Sequence, residues 1–249
     1  MAGSLNRPRK GLMQSKSTNL TISKIKLDKN LEKSSANLFY RYLEKRNYIQ
    51  GVVVLEGMLK CCEALIPNLE KKTYKIVEAK IHSEINFGTT AIAYAKSKKL
   101  KEKRKPVAFI KIKYKSKNLV CYLYKNRKKL DKNFREEKDI YGKHVEKIEF
   151  KEKFVVCKIK KIITIIDLIR AIEECQRDII KIENPKFSKQ RWCYLTNLLV
   201  NEKKIKNINQ IKFYNKKILK FKNSIFDIRY VDFYNKYLNS NPEFCFNAN

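Results

Sequence analysis

Glu56 is the one acid in the opening turns of an apolar run that begins at Gly51 (GVVVLEGMLKCC). In a helix, the free N–H groups of the first turn polarise a carbonyl oxygen placed against them. Gly51 would let a ligand approach that backbone, because it has no side chain. A carboxylate further along the helix becomes a general acid or base when burial raises its pKa. The plainer reading of Glu56 is a carboxylate that pairs with a lysine at an interface. The chain has only two histidines. His82 lies mid-strand, where a groove position competes with an exposed sheet position. His144 follows Gly142 in a polar stretch and receives no role. The seven cysteines have no CxxC spacing, which excludes the common zinc signatures. No metal or other cofactor is expected, and the thiols read as buried and free in a reducing compartment. Cys61 and Cys62 read as helix packing.

The elements that must position Glu56 follow from hydrophobic periodicity. Leu20 to Leu27 alternates as a half-buried strand. Asn37 to Asn47 has Leu38, Phe39, Tyr42 and Leu43 at helical spacing and predicts a helix. Val52 to about Leu65 is a helix with a stripe so broad that most of it is buried, and Pro67 ends it. Tyr74 to Phe87 alternates as one long, curling strand that turns at Gly88 and Thr89. Val107 to Tyr114 and Leu119 to Tyr124 form a hairpin. Residues 126–144 read as a linker, and then the plan recurs. Lys147 to Lys158 alternates, and Ile165 to Ile182 is an amphipathic helix offering Asp167, Arg170 and Glu173. Four strands are expected at Trp192 to Val200, Ile208 to Tyr214, Ile218 to Lys222 and Ile225 to Phe233. Residues 1–19 read as a disordered basic arm and 236–249 as a tail.

The formal net charge is +32, from 57 lysines and arginines against 25 acids. Lysines number 46 and arginines 11. Clustered cations suit an anionic partner, yet nucleic-acid readers favour arginine for bidentate contacts. Drift in an AT-rich genome would also enrich lysine, alongside the 28 isoleucines. Between Lys96 and Lys129 stand 15 lysines and arginines and one acid, Glu102. That run is a basic rim or a solvated hairpin. No run of 18 apolar residues predicts a membrane span. The first 19 residues lack the apolar core of a secretory signal, so the cytoplasm or an organelle matrix is the expected compartment.

The residues around the first helix resemble two hotdog families. The β-hydroxyacyl-carrier-protein dehydratases open their helix with Pro-Gly and run on as apolar, apolar, Leu, Glu, Ala. Here Gln50, Gly51, Val52, Val53, Val54, Leu55, Glu56 and Gly57 stand in that register. Their Glu-Ala-Arg-Phe strand closes on Pro-Gly-Asp, and Glu78, Ala79, Lys80 and Ile81 lead likewise to Phe87, Gly88 and Thr89. The A-factor-biosynthesis family, with paired hotdogs in one chain, has an Asp-His-Val-Pro-Gly entry similar to Asn47, Tyr48, Ile49, Gln50 and Gly51. The likeness covers about 50 residues, and the family histidine is missing before both helices.

The resemblance implies an α+β tandem hotdog, each unit a curled antiparallel sheet around one helix. The units would span 20–125 and 145–235 and pack as an internal pseudo-dimer, with a homodimer left open. It implies processing or binding of an acyl carrier protein or coenzyme A thioester. An active form would be a lyase of the dehydratase or hydratase type, or an acyltransferase-like enzyme. Glu56 and Tyr48 become the catalytic candidates, Tyr48 standing where the family places histidine. Asn47, Gly51, Val52 and Gly88 become the substrate-binding candidates. The competing readings are a nucleic-acid-binding protein and a non-catalytic subunit of a larger assembly.

Overall fold

The structure is a computed structural model. It describes residues 13–14, 20–43, 49–66, 69, 73–82, 85–95, 104–130, 135–136, 144–185, 190–200, 205–221, 224–233 and 243–248. The first part of the chain forms β1 (Met13–Gln14), β2 (Leu20–Ile22), β3 (Lys26–Asp28), β4 (Lys33–Tyr40), β5 (Tyr42–Leu43), α1 (Gly51–Leu65), β6 (Tyr74–Ile81), β7 (Phe87–Tyr94), β8 (Ala108–Tyr114) and β9 (Lys117–Lys129). The remainder forms β10 (Arg135–Glu136), β11 (Val145–Phe150), β12 (Val155–Ile159), α2 (Ile165–Glu183), β13 (Gln190–Val200), β14 (Gln210–Phe221), β15 (Ser224–Phe233) and β16 (Glu243–Ala248).

Fourteen of these strands form one sheet, ordered β1-β2-β4-β7-β9-β8-β6-β13-β16-β15-β14-β12-β11, with β3 paired to β4 off this path. Two halves meet where β6 runs antiparallel to β13, with Ile76 opposite Leu198 and Lys80 opposite Tyr194. In the first half β1–β5 precede the helix and β6–β9 follow it, and in the second β10–β12 precede the helix and β13–β16 follow it. The halves differ in one connection. In the first, β7 pairs with β9 and β8 lies beyond it; in the second, β14, β15 and β16 run as a meander.

α1 is enclosed on nearly all sides, with every residue from Val52 to Met58 buried, Glu56 included. Three consecutive valines disfavour a helix intrinsically, so burial against the sheet must outweigh propensity here. The sheet supplies Leu38, Ala91, Ala93, Ile110 and Leu123, all at most 4% exposed. Gly57 permits the closest approach. A Cβ there would fall 2.6 Å from Leu38 Cδ1 and 3.5 Å from Leu20 Cδ2. Ser34 Oγ donates to the Cys61 carbonyl at 2.6 Å, which satisfies a buried acceptor near the helix end. α2 buries a stripe of Leu168, Ile169, Ile172, Cys175 and Ile179. The apolar residues of both halves form one continuous core.

Several expectations are corrected. The stretch from Asn37 begins in β4, whose Ala36, Leu38 and Tyr40 are buried at alternate positions. A short run with aromatics fits both periods, and sheet pairing to β2 and β7 decides it. The long curling strand is two strands, β6 and β7, which lie apart in the sheet with β8 and β9 between them. Gly88 is no turn: it lies inside β7 at an irregularity in the ladder to β9. A Cβ at Gly88 would meet Asn126 Oδ1 at 2.8 Å and the Lys128 carbonyl at 3.2 Å. The two strands expected from 208 to 222 are the single strand β14, irregular between Asn215 and Lys217. Residues 243–248, expected as tail, form β16. Of the basic run from Lys96 to Lys129, residues 96–103 lie outside the described residues.

Candidate active site

The N-terminus of α1 is left open by the sequence. Its cap residue, Gln50, is extended and makes no side-chain cap, and no acid stands in the first turn. The Gln50 carbonyl accepts from Val53 N at 3.1 Å and Val54 N at 3.3 Å. The Gly51 and Val52 N–H groups precede this first helical bond and have no intrahelical acceptor, as at any helix start. Ile49 ties the entering chain down by donating its N–H to the Ile85 carbonyl at 2.8 Å.

α2 begins differently. Thr164 Oγ1 accepts from Asp167 N at 3.2 Å, and Thr164 N donates to Asp167 Oδ2 at 2.8 Å, a complete capping box. Its own side chains close that end. The two helices touch, and Glu173 of α2 reaches the start of α1. A Cβ built on Gly51 would lie 3.6 Å from Glu173 Oε1 and 2.9 Å from Ile81 Cδ1. Gly51 therefore sets an open helix N-terminus beside a carboxylate from the other half.

Glu56 does not share this point with Gly51. Five residues carry it about 7.5 Å along the axis and about 140° around it, into the enclosed second turn of α1. Val52 is 1% exposed and belongs to the core. Gly88 packs against Asn126 and Lys128 of β9. Asn47 and Tyr48 lie outside the described residues. His82 is exposed at the end of β6 and stacks at 5.7 Å on Phe109.

A second cluster lies where α2 packs against the start of β11. His144, given no role, is 5% exposed and packs on α2. Its backbone N–H donates to Glu174 Oε2 at 2.7 Å, its Nδ1 lies 3.4 Å from Glu174 Oε1, and its Nε2 lies 3.9 Å from Asp167 Oδ1. Arg170 Nε is 3.5 Å from the same Glu174 oxygen. Burial works against the Glu174 carboxylate, but the His144 ring and N–H, with Arg170, outweigh it and hold its pKa below the ordinary value. The signal was present: Asp167, Arg170 and Glu174 share one face of a helix otherwise largely buried, and buried charges require partners. Among the described residues no cluster of histidine, cysteine and carboxylates could hold a metal ion. No helix among them is long and apolar enough to cross a membrane.

No family model matches the sequence. No curated protein matches it either. Solved structures do. The pyran synthase domain from module nine of the sorangicin pathway aligns over 94% of this chain and 98% of its own, with a TM-score of 0.54 at 8% identity. The dehydratase domain of PpsC from Mycobacterium tuberculosis, in complex with C12:1-CoA, aligns over 90% and 97%, with a TM-score of 0.48 at 6% identity. A monomeric dehydratase domain from a trans AT polyketide synthase split module covers 83% and 92%, with a TM-score of 0.47 at 9% identity. With its antiparallel sheet curved over two buried helices, the chain has the hotdog fold.

Proposed function

We propose that this chain is a tandem hotdog protein that binds or processes an acyl thioester, with its units at about 20–125 and 145–248. The observation that carries the reading is the open N-terminus of α1 with Glu173 beside Gly51. A thioester carbonyl seated there would accept from the first free N–H groups of α1, and the helix dipole would favour negative charge on its oxygen. That polarisation acidifies the adjacent carbon. A carboxylate at the Glu173 position then takes the C2 proton of a 3-hydroxyacyl group and returns it to the departing C3 hydroxyl. Water leaves, a carbon–carbon double bond forms, and the carboxylate ends as it began. Glu56, fixed one turn deeper, is the second carboxylate candidate, and Tyr48 precedes the same helix. The carrier is an acyl carrier protein or coenzyme A, both anionic, and the chain's charge of +32 favours encounter with either.

The test is turnover of a panel of enoyl- and 3-hydroxyacyl-thioesters by wild type, Glu173→Gln and Glu56→Gln. Both variants keep side-chain shape but lose the negative charge and the capacity to take a proton. Loss of turnover in Glu173→Gln, with acyl binding retained, is the expected result. Loss in Glu56→Gln alone moves the chemistry to α1. Saturable acyl binding with no turnover in any protein makes the chain a thioester-binding protein. Neither binding nor turnover overturns the reading.

A further inference from the structure

The face of the sheet turned away from the helices carries a pattern that the thioester site does not use. On this face of β6 and β8 stand Lys75, Lys80, Lys111 and Lys113, with one carboxylate, Glu78. Alternation decides which way each side chain points. Ala108, Ile110 and Ile112 of β8 belong to the core beneath, so Phe109, Lys111 and Lys113 stand on the outer face. Leu119, Cys121 and Leu123 of β9 are likewise inward, which turns Tyr122 outward. The ladders set Lys80 opposite Phe109 and Phe109 opposite Tyr122. His82 adds its ring at 5.7 Å from Phe109. The result is a row of partly or fully exposed rings, His82, Phe109 and Tyr122, running across the strands.

Cations border this row. Lys111 Nζ lies 5.0 Å over the Phe109 ring and 2.5 Å from Glu78 Oε2, which absorbs the one acid of the face. Lys105 and Lys113 are exposed. Partial burial, then the charges of Lys80 and Lys105, hold the His82 pKa below its ordinary value, against the pull of Glu78. The histidine thus senses a net positive field.

We propose that this outer face, centred on Phe109, binds single-stranded nucleic acid. Flat rings in a row accept bases of any sequence by stacking, and flanking lysines track a phosphate backbone. An acidic protein would use the lysines but gain little from rings aligned across the strands. Lysine in place of arginine fits backbone contact without base readout. The face lies on the opposite side of the sheet from α1, so it is independent of the thioester reading.

The experiment is fluorescence anisotropy with a labelled oligouridine of about twelve nucleotides, within the range of known single-strand sites. A chain this basic attracts any polyanion, so the variants localise the binding. Phe109→Leu keeps apolar bulk and removes the ring; affinity should fall about tenfold, in line with loss of one stacked base. Lys80→Gln/Lys113→Gln should flatten the dependence of log K on log salt by about 1.4, at about 0.7 for each phosphate no longer neutralised. Lys160→Gln/Lys161→Gln removes the same charge from an exposed stretch of the other half and should leave the slope within about 0.5 of wild type. On binding, the His82 pKa, followed by proton NMR, should rise as phosphates offset the lysines. Equal effects of the two lysine pairs, or wild-type affinity in Phe109→Leu, overturn the proposal. An oligoglutamate of equal charge that binds as tightly as the oligonucleotide and loses as much affinity in Phe109→Leu does so as well, and points to an acidic protein. If Phe109→Leu does not fold, Tyr122→Leu is measured in its place, with the same outcomes.

Discussion

Gly57 and Leu38 offer a direct test of how tightly α1 is held against the sheet. A methyl group at Gly57 would lie 2.6 Å from Leu38 Cδ1 and 3.3 Å from its Cδ2. Leu38 is 0% exposed, and Leu20 Cδ2 stands behind it at 3.5 Å from the same point, so the leucine has nowhere to swing. Overpacking of this kind costs about 1–3 kcal/mol, and replacing a mid-helix glycine with alanine returns about 0.5–1 kcal/mol. Gly57→Ala should therefore destabilise by about 1 kcal/mol. Leu38→Ala alone should cost about 3 kcal/mol, the lower-middle of the range for a truncated core leucine. In that background the new methyl finds space, and Gly57→Ala should stabilise by about 1 kcal/mol. The double variant then lies about 2 kcal/mol below wild type instead of about 4. Urea titrations of the four proteins measure this coupling of about 2 kcal/mol, well above the scatter of about 0.5 kcal/mol for independent sites. Additive effects, or a stabilised Gly57→Ala single variant, would refute the close helix–sheet approach.

The His144 cluster gives a pH test. Because the Glu174 pKa is lowered in the folded protein, its contribution is fully present above the unfolded value, about 4.3, and is lost as pH falls through the folded value. Wild type should lose more stability between pH 6 and pH 3 than Glu174→Gln, and at pH 7 the variant should be weaker by about 2 kcal/mol because it loses charge-assisted hydrogen bonds to His144; parallel acid limbs in urea titrations would contradict this. Thr164→Ala removes the side-chain half of the α2 capping box and should cost about 1 kcal/mol, read from the same titration. Cys61, Cys62, Cys121, Cys157 and Cys175 are all buried, and burial pushes the Cys61 thiol well up. Peptide mapping after iodoacetamide should find these five unmodified in native protein and alkylated in urea; native labelling at any of them would count against the packing of the helix or strand that carries it.

α1 was legible because a broad apolar stripe followed by proline has few alternatives as a structure. The hairpin of β8 and β9 was legible because strict alternation fixes both period and face. Sheet order was not, since pairing between β6 and β13 joins residues over 100 apart and leaves no local trace. The run after Asn37 failed because a short segment with aromatics satisfies two periods at once, and for residues 37–40 the partners β2 and β7 choose between them. At the site, the open start of α1 could be read from Gly51 and the absence of a capping side chain at Gln50. Glu173 could be named but not chosen, since only the packing of α2 on α1 brings it to Gly51. His144 was missed because its partners lie on a helix that begins some 20 residues later.

β16 comes after every other strand in sequence, yet it lies between β13 and β15, well inside the sheet. Until residues 243–248 have left the ribosome, β13 has β6 on one side and bare peptide groups on the other, and β15 has β14 alone. An emerging chain thus carries two hydrogen-bonding edges that β16 closes. Such edges recruit other chains, and pairing over long sequence distances is slow to form. The order of synthesis therefore leaves β13 and β15 open to misassembly until β16 emerges, and a chaperone that shields strand edges would act usefully there.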